Sequence, residues 1–523
     1  MWFTLISKSK NFENYTIYIS EKNIDDYHLK DDYKRAYEKL NKLDRKYSSV
    51  FYCFNNKEKI NYLKEFKIDF NKIKRMTFVQ EEENNNKYYN NKTFFETLFS
   101  FNIESNLIYL KLKFIYTKEN ELDSSLFEKI NNFKSLRYLY IDSLFFNKDI
   151  IIKPKNLRAL SFKNSKNINI SSFIFCEKIE ILNLERNEIS KLHSLENINF
   201  QELQKLNLYH NNISDIKELI SAHFLNLKIL DLSENKISNK IIILEKVNFK
   251  ELKELNLSDN NISDIKVLEK VKFKKLEKLN IGRNKISNIN ILEKVNFEEL
   301  KELNLENSDI SDISILEKVK FKKLEKLYLR GNNISDINIL EIVDFTELKE
   351  LDLWNNNISD ISILEKVKFK KLEKLLLGNN QISNKIDVLE KVNFEDLKEL
   401  NLSDNNITDI KVLEKVKFSK LEKLYLGWNK ISNINILEKA NFKELKELNL
   451  WNNNISDISV LGKVAFAKLE KLYLGVNKIS NINIFGKVNF KELKELNLSG
   501  NTILDTSIFE EIKFRKLEVF NFG

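Results

Sequence analysis

The sequence predicts an α/β solenoid, a right-handed superhelix of stacked repeats with a concave parallel β-sheet and short helices or 3₁₀ segments on its convex side. From Ile179 onward the pattern Leu-x-x-Leu-x-Leu-x-x-Asn-x-Ile returns every 24 residues, and twice after 25. The 523-residue chain contains only 9 Gly and 1 Pro. Unlike domains joined by varied loops would need more turn formers, whereas one stacked unit turned by asparagine does not.

Each unit combines two periodicities, and we number its positions from the first leucine. Leu255 and Leu257, at positions 4 and 6, are two residues apart, as in a short strand whose leucines point into the core. Ile262, Ile265 and Leu268 follow at spacings of three, which indicates a short helix or 3₁₀ segment. Either of the two residues after Ile262, a serine and an aspartate, can cap that segment. Stacked units share one core, so the strands form a parallel sheet along the concave face.

Position 9 carries a column of asparagines. A buried amide persists only when it is hydrogen-bonded, and here it can satisfy backbone groups of its own and the neighbouring turn, so we interpret the column as structural. Ser308 interrupts it and offers fewer bonds, which predicts a weaker seam at that repeat. The asparagines are Asn187, Asn211, Asn235, Asn260, Asn284, Asn332, Asn356, Asn380, Asn405, Asn429, Asn453, Asn477 and Asn501.

This succession of strand, asparagine and short outer segment resembles the leucine-rich-repeat family. The continuation Ile-Ser-Asp-Ile-x-x-Leu is most similar to its phosphatase-regulator-type and internalin-type members. The resemblance covers roughly the last two-thirds of the chain, and it implies the fold rather than a particular partner.

The sequence divides into three parts. Residues 1–72 are predicted to form an N-terminal α/β cap, with a strand where Tyr15, Ile17 and Ile19 alternate and an amphipathic helix between Tyr33 and Leu43. Residues 73–156 contain irregular repeats and a polar insertion over residues 81–92. Residues 157–523 form the regular solenoid.

Position 3 alternates in sign along eleven consecutive repeats. Adjacent strands of a sheet lie about 4.8 Å apart, so opposite charges become neighbours and neutralise one another. We therefore interpret this column as setting the register rather than recognising a partner. Its members are Glu254, Lys278, Glu302, Lys326, Glu350, Lys374, Glu399, Lys423, Glu447, Lys471 and Glu495.

Positions 5, 7 and 8 are the candidate binding surface. They hold large aromatic side chains, including three of the four tryptophans, and Trp, Tyr and Arg dominate binding hot spots in protein interfaces. The predicted patch crosses seven strands, about 29 Å, which is sufficient for a standard protein interface. Trp354 and Trp451 occupy equivalent places in nearly identical repeats. The alternative to a binding patch is therefore that one of these tryptophans is a passive copy of the other, produced by repeat duplication. The predicted partner-binding residues are Tyr328, Arg330, Trp354, Leu376, Tyr425, Trp428, Trp451 and Tyr473.

The sequence does not indicate an enzyme, a cofactor or a metal. The four histidines show no metal-ligand spacing, and the Gly-Lys pairs at Gly462 and Gly486 lack the preceding glycine of a phosphate loop. Cys53 and Cys176 lie among apolar residues, which predicts buried, unreactive thiols. The net charge of +9 comes from lysines interleaved with glutamates, so we expect neither nucleic-acid nor membrane binding.

These observations predict a protein-interaction scaffold or regulatory subunit in the cytoplasm that binds a protein on its concave face. The apolar run Met1–Ile6 is too short for a signal-peptide core, and two cysteines favour a reducing compartment. Glycosylation sequons also recur down the solenoid, where stacked glycans would crowd one another. The alternative is a secreted or cell-surface, adhesin-like repeat protein.

The last strand of the sequence admits two interpretations. Leu517, Phe520 and Phe522 begin a new unit, and no polar capping repeat follows them. The strand is either an edge that tolerates fraying or an apolar end that packs against a partner or a second copy. The second interpretation predicts end-to-end self-association.

Overall fold

The structure is a computed structural model, which describes residues 7–8, 15–19, 48–53, 74–79, 107–113, 125–143, 150–166, 168–173, 175–198, 200–508 and 514–522. It comprises two compact units, Met1–Leu255 and Asn256–Gly523. We refer to them as the N-terminal unit and the C-terminal unit. The predicted helix between residues 33 and 43 and the polar insertion over residues 81–92 lie outside the described residues.

In the N-terminal unit the first strand pairs antiparallel with the second, and each later strand pairs parallel with the one before it. The strand predicted from the alternation at Tyr15 is present. The two boundaries predicted between the three parts of the sequence, after residues 72 and 156, stay predictions. The strands are β1 (Ser7–Lys8), β2 (Tyr15–Ile19), β3 (Ser48–Cys53), β4 (Arg75–Val79), β5 (Tyr109–Lys113), β6 (Tyr138–Asp142), β7 (Ala159–Lys163), β8 (Ile181–Asn183), β9 (Lys205–Asn207) and β10 (Ile229–Asp231). Strand β11 (Glu254–Asn256) follows at the boundary.

In the C-terminal unit consecutive strands pair parallel in a register of one repeat, so each residue lies beside its equivalent. Most strands contain three residues, with a buried leucine between two side chains of the opposite face, as the pleat requires. The strands are β12 (Lys278–Asn280), β13 (Glu302–Asn304), β14 (Lys326–Tyr328), β15 (Glu350–Asp352), β16 (Lys374–Leu376), β17 (Glu399–Asn401), β18 (Lys423–Tyr425), β19 (Glu447–Asn449), β20 (Lys471–Tyr473), β21 (Glu495–Asn497) and β22 (Val519–Asn521).

The segments between strands are 3₁₀ turns, with one described α-helix at Ser125–Ile130. Most have four residues, which favours i→i+3 bonds such as Leu340 N–H to the Ile337 carbonyl at 3.0 Å. The repeat solenoid predicted from the sequence is thus confirmed. The 3₁₀ segments are Ile170–Phe173, His193–Asn197, Lys217–Ile220, Ser238–Glu245, Lys266–Glu269, Asn290–Glu293, Ser314–Glu317, Asn338–Glu341, Ser362–Glu365, Lys385–Glu390, Lys411–Glu414, Asn435–Glu438, Ser459–Gly462 and Asn483–Gly486.

In the four-residue 3₁₀ segments of the regular repeats, the side chain at position 13 accepts a backbone N–H at the start of the segment. Asp264 Oδ1 accepts the Lys266 backbone N–H at 2.9 Å, so the aspartate, one of the two predicted capping residues, contacts the start of the segment. The two 25-residue steps lengthen this segment to eight and six residues. A serine of positive φ lies at the start of each longer segment, Ser238 as its first residue and Ser383 two residues before Lys385.

The core lies between the strands and the 3₁₀ segments. In most regular repeats it consists of the same kinds of side chain: three leucines of the strand, two isoleucines of the turn, one aliphatic residue of the 3₁₀ segment and a closing aromatic. In one repeat these are Leu324, Leu327, Leu329, Ile334, Ile337, Leu340 and Phe345, all at most 2% exposed.

The asparagine column bridges neighbouring repeats. Asn332 Nδ2 donates to the carbonyls of Leu305 and Leu329, each at 2.9 Å, and its Oδ1 accepts the Ile310 N–H at 3.1 Å. The structural role is therefore confirmed. Ser308 Oγ donates to the carbonyl of Glu306 in its own repeat at 3.4 Å, and within the described residues its side chain bridges to no other repeat.

Candidate interaction surface

The candidate surface belongs to the C-terminal unit and combines one face of its sheet with the turns that follow the strands. Positions 3, 5 and 7 project from the side of each strand opposite the buried leucines. Position 8 follows in the turn, where the backbone has a positive φ in all eleven regular repeats of this unit. The residues at position 8 are Asp259, Arg283, Asn307, Gly331, Asn355, Asn379, Asp404, Trp428, Asn452, Val476 and Gly500.

The charges at position 3 pair across strands, as predicted. Lys374 Nζ lies 3.1 Å from Glu350 and 3.8 Å from Glu399, one carboxylate on each side. Lys326–Glu302, Lys423–Glu399 and Lys471–Glu495 continue the column at 3.6, 3.7 and 2.7 Å.

Position 2 forms a second charged column, which the sequence analysis missed although its alternation is visible there. Its ion pairs include Lys301–Glu277 at 2.7 Å and Lys349–Glu325 at 2.9 Å. A shallow groove of about 310 Å³ is lined by five lysines and four glutamates of the two columns. Each of these lysines is ion-paired with a glutamate of a neighbouring strand. The groove therefore offers no uncompensated charge to a ligand.

The three tyrosines at position 5 are half-buried and directed toward glutamates of the next strand. The hydroxyl of Tyr328 donates to Glu350 at 3.1 Å, and that of Tyr473 donates to Glu495 at 2.6 Å. Burial, followed by the neighbouring carboxylates, raises the pKa of both phenols and of Tyr425 above the usual value of 10.0. These phenols are therefore protonated donors whose hydrogen bonds are made within the chain.

The two tryptophans at position 7 pack onto glycines of the next repeat. A Cβ atom added to Gly378 would lie 2.2 Å from the Trp354 ring, and one added to Gly475 would lie 2.1 Å from the Trp451 ring. Only glycine leaves room for these indoles. The guanidinium carbon of Arg330 lies 5.3 Å from the centroid of the Trp354 ring, a cation–π contact that occupies one face of the indole.

Leu376 is a correction to the predicted surface. It is 9% exposed and therefore buried, although it lies on the strand face. Because the Trp354 ring lies over Gly378, two residues further along the same repeat, little of the shorter leucine side chain reaches solvent. Leu376 belongs to the packing beneath the surface rather than to the surface itself.

Trp428 and Val476 are the apolar side chains that stay open at position 8. Trp428 is 60% exposed with φ of 55°, and its N–H donates to the Trp451 carbonyl at 2.7 Å. Val476 is 40% exposed with φ of 52°. Val476 was not among the predicted surface residues. Its signal in the sequence is an aliphatic residue at a position where most repeats of this unit carry Asn, Asp or Gly.

The described residues give little support for catalysis. No group of three or more His, Cys, Asp or Glu side chains among them is placed to hold a metal ion. Burial raises the pKa of the Cys176 thiol to about 12, so it is protonated and unreactive, as predicted; the Cys53 side chain lies outside the described residues. None of the described helices has the length and apolar character that crossing a membrane requires.

Sequence comparison identifies the repeat. A family model described as leucine-rich repeats (two copies) matches residues 250–294, 298–341, 346–391, 395–439 and 443–487, and a second leucine-rich-repeat model matches residues 225–244. The chain is a leucine-rich-repeat protein. No curated protein sequence matches it with significance.

Solved leucine-rich-repeat structures resemble the chain in fold. A leucine-rich-repeat protein of Leptospira interrogans aligns with a TM-score of 0.57 and 24% identity, covering 77% of this chain and 93% of that one. The ectodomain of the Arabidopsis thaliana receptor kinase GASSHO1/SCHENGEN3 aligns with a TM-score of 0.50 and 17% identity, over 91% of this chain and 60% of that one. An internalin of Listeria monocytogenes aligns with a TM-score of 0.46 and 22% identity, over 68% and 83%. Leucine-rich repeats generally serve as protein-interaction scaffolds, and that broad class of function is the one this chain's repeats indicate.

Proposed function

We propose that the chain is a scaffold or regulatory subunit that binds a protein partner through the aromatic side of its C-terminal unit, with Trp428 at the centre of the contact. The observation that carries the proposal is the 60% exposure of Trp428. Exposing an apolar indole to water is unfavourable in free energy, and tryptophan is enriched among the residues that contribute most to the binding energy of protein interfaces.

The predicted patch separates into two halves. On one side Arg330 covers Trp354, Trp354 covers Gly378, and the Tyr328 hydroxyl is bound to Glu350. On the other side Trp428 and Val476 stay exposed on either side of Trp451 in the repeat order. A partner therefore gains most buried apolar area at the second half, between Tyr425 and Tyr473.

Affinity purification from the organism's own lysate tests the proposal. The wild-type chain is compared with Trp428→Ala, and Trp354→Ala serves as the matched control because its ring is already packed. We expect a protein captured by the wild type and by Trp354→Ala to be lost with Trp428→Ala. Thermal melting should show little change for Trp428→Ala, since its side chain is largely solvated. Equal capture by the two variants would contradict the proposal.

We also propose a cytoplasmic location. The sequon asparagines Asn333, Asn357 and Asn406 are exposed at position 10, next to the turns that carry position 8. Glycans there would cover the candidate surface, which supports a compartment without N-glycosylation. Cell fractionation checks this, and recovery of the chain in the secreted or surface fraction would favour the adhesin-like alternative.

A further inference from the structure

We propose that Trp428, Lys430, Val476 and Lys478 form a site for an extended protein segment whose apolar side chains are flanked by carboxylates. We call these four residues the edge site. The inference rests on the proposed function and deepens it, because it names the chemistry of the partner.

The edge site is assembled from three consecutive turns. Trp428 N–H donates to the Trp451 carbonyl at 2.7 Å, and Asn452 N–H donates to the Gly475 carbonyl at 2.8 Å. These bonds join the turn of Trp428 to the turn of Val476 through one intermediate repeat. Two repeat spacings separate the two exposed side chains, about 10 Å along the solenoid. An extended chain places residues three apart at that distance.

The backbone at both apolar positions favours other residues. Left-handed φ values suit Gly, Asn and Asp, whereas a β-branched valine or a bulky tryptophan is an outlier there. Equivalent positions in neighbouring repeats carry the favoured types, Asn379, Asp404 and Asn452. Residues kept in disfavoured conformations concentrate at functional sites, where binding is the compensation for the local strain.

Two uncompensated positive charges flank the apolar pair. Lys430 and Lys478 are exposed at position 10, and neither makes an ion pair within the part of the chain that the structure describes. The sheet-face lysines differ, because Lys374 and Lys471 are held by glutamates. In most other repeats of this unit position 10 is neutral, as in Asn357, Gln381 and Asn454.

The charges and the apolar side chains of the edge site together indicate which kind of ligand fits it. Carboxylates complement the two lysines, while the apolar side chains of the same segment cover Trp428 and Val476. Asp404, exposed at position 8 of the preceding repeat, places a negative charge at one end and disfavours an acidic residue there. Two lysines separated by a neutral repeat are too few for the phosphate-dominated binding of a nucleic acid, so a protein segment is the better match.

The test is selection of a phage-displayed random decapeptide library on the full chain, with counter-selection on the Trp428→Asn/Val476→Asn variant. We expect enriched peptides to contain aromatic or aliphatic residues beside Asp or Glu. Synthetic versions of those peptides should bind Lys430→Glu/Lys478→Glu at least tenfold more weakly. Lys285→Glu is the matched control, since Lys285 holds the same position 10 in a repeat without an exposed apolar neighbour, and it should bind as the wild type does.

Several results would overturn the inference, namely enrichment of neutral or basic peptides, no enrichment, or an equal loss with Lys285→Glu. Peptides that require Trp428 but contain no carboxylate would reject the edge site's charge preference and leave the proposed function intact. If omitting the counter-selection enriches only peptides that bind the wild type and Trp428→Asn/Val476→Asn equally, both the edge site and the proposed function are rejected. Self-association of the wild type in sedimentation velocity, abolished by Trp428→Asn/Val476→Asn, would assign the site to a second copy and overturn the inference. Binding of heparin that requires Lys430 and Lys478 but not Trp428 would also overturn the inference.

Discussion

At the scale of single residues, the backbone at position 8 sets a preference that the side chain either satisfies or opposes. Val476 opposes it with φ of 52°, whereas Asn452 in the preceding repeat satisfies it with φ of 53°. We expect Val476→Asn to raise the free energy of unfolding by about 1 kcal/mol, because asparagine adopts left-handed φ readily and a β-branched residue does not. Urea denaturation measures the change.

The reverse substitution is the control for this prediction. Asn452→Val should lower the free energy of unfolding by a similar amount at an equivalent backbone position. If Val476→Asn instead destabilises the chain, the side chain of Val476 contributes more to packing than its 40% exposure indicates.

Glu218 in the N-terminal unit is a buried carboxylate at a position that other repeats give to an aliphatic residue. It is 5% exposed, and His193 approaches its Oε1 at 3.1 Å. Among the residues that the structure describes, its Oε2 has no hydrogen-bond partner. An unsatisfied buried polar atom costs about 1–3 kcal/mol. We therefore expect Glu218→Val to stabilise the chain by about 1 kcal/mol in urea denaturation, since His193 is exposed and loses little.

The matched control uses the equivalent residue of a regular repeat. Val267 is 7% exposed. Val267→Glu should destabilise the chain, because it buries a carboxylate that has no positively charged or hydrogen-bonding group positioned to pair with it. A destabilising Glu218→Val would show that the contact with His193 outweighs the unsatisfied oxygen.

At the scale of the repeat element, the asparagine column shows what one missing amide changes. Ile262 N–H donates to Asn284 Oδ1 of the next repeat at 2.9 Å, and Ser308 replaces the asparagine that would serve Ile286 in the same way. We expect Ser308→Asn to slow amide exchange at Ile286 and to stabilise the chain by about 1 kcal/mol through the added bridge.

Hydrogen exchange of the wild type provides the comparison for this prediction. The amide of Ile286 should exchange faster than its equivalents Ile262 and Ile310, whose N–H groups donate to Asn284 and Asn332. Uniform protection of these three amides, or no response to Ser308→Asn, would contradict the predicted weak seam. Ser308→Ala is the control, because it removes a long bond of 3.4 Å and should have little effect.

At the scale of the whole molecule, alkaline pH should destabilise the chain. Burial and adjacent carboxylates hold the pKa of Tyr328, Tyr425 and Tyr473 above the value of 10.0 that a phenol has in an unfolded chain. The unfolded state therefore loses these protons first. Their contribution to stability is complete below pH 10 and declines as the pH rises above it.

Urea denaturation between pH 8 and 11 measures this dependence. Hydrogen-bonded glutamates also raise the pKa of lysines such as Lys301 and Lys349. Their contribution to the stability of the chain therefore also declines at alkaline pH, at a slightly higher pH than that of the tyrosines. The triple substitution of the three tyrosines by phenylalanine separates the two contributions and should give a flatter curve above pH 10. Parallel curves for wild type and variant would show that the phenols do not contribute.

Much of the fold could be predicted because each feature depends on residues close in sequence. The Leu-x-Leu step predicts strands, the three-residue spacing predicts the 3₁₀ layer, and the return of the pattern predicts their stacking. The sequence left the capping residue open between Asp264 and its serine neighbour, because both residue types accept backbone N–H groups. The bond from Lys266 N–H to Asp264 Oδ1 is a matter of turn geometry, which the sequence pattern does not specify.

The candidate site was predicted less completely, because exposure depends on residues one repeat apart. The sequence alone determined the solenoid, the asparagine column, the alternating charges and the placement of three of the four tryptophans between residues 354 and 451. The tertiary structure decided which of those residues meet solvent: it packed Trp354 on Gly378, buried Leu376, and left Trp428 and Val476 exposed. The physical reason is that a repeat specifies its own core, whereas its surface is covered or left open by the side chains of the adjacent repeat.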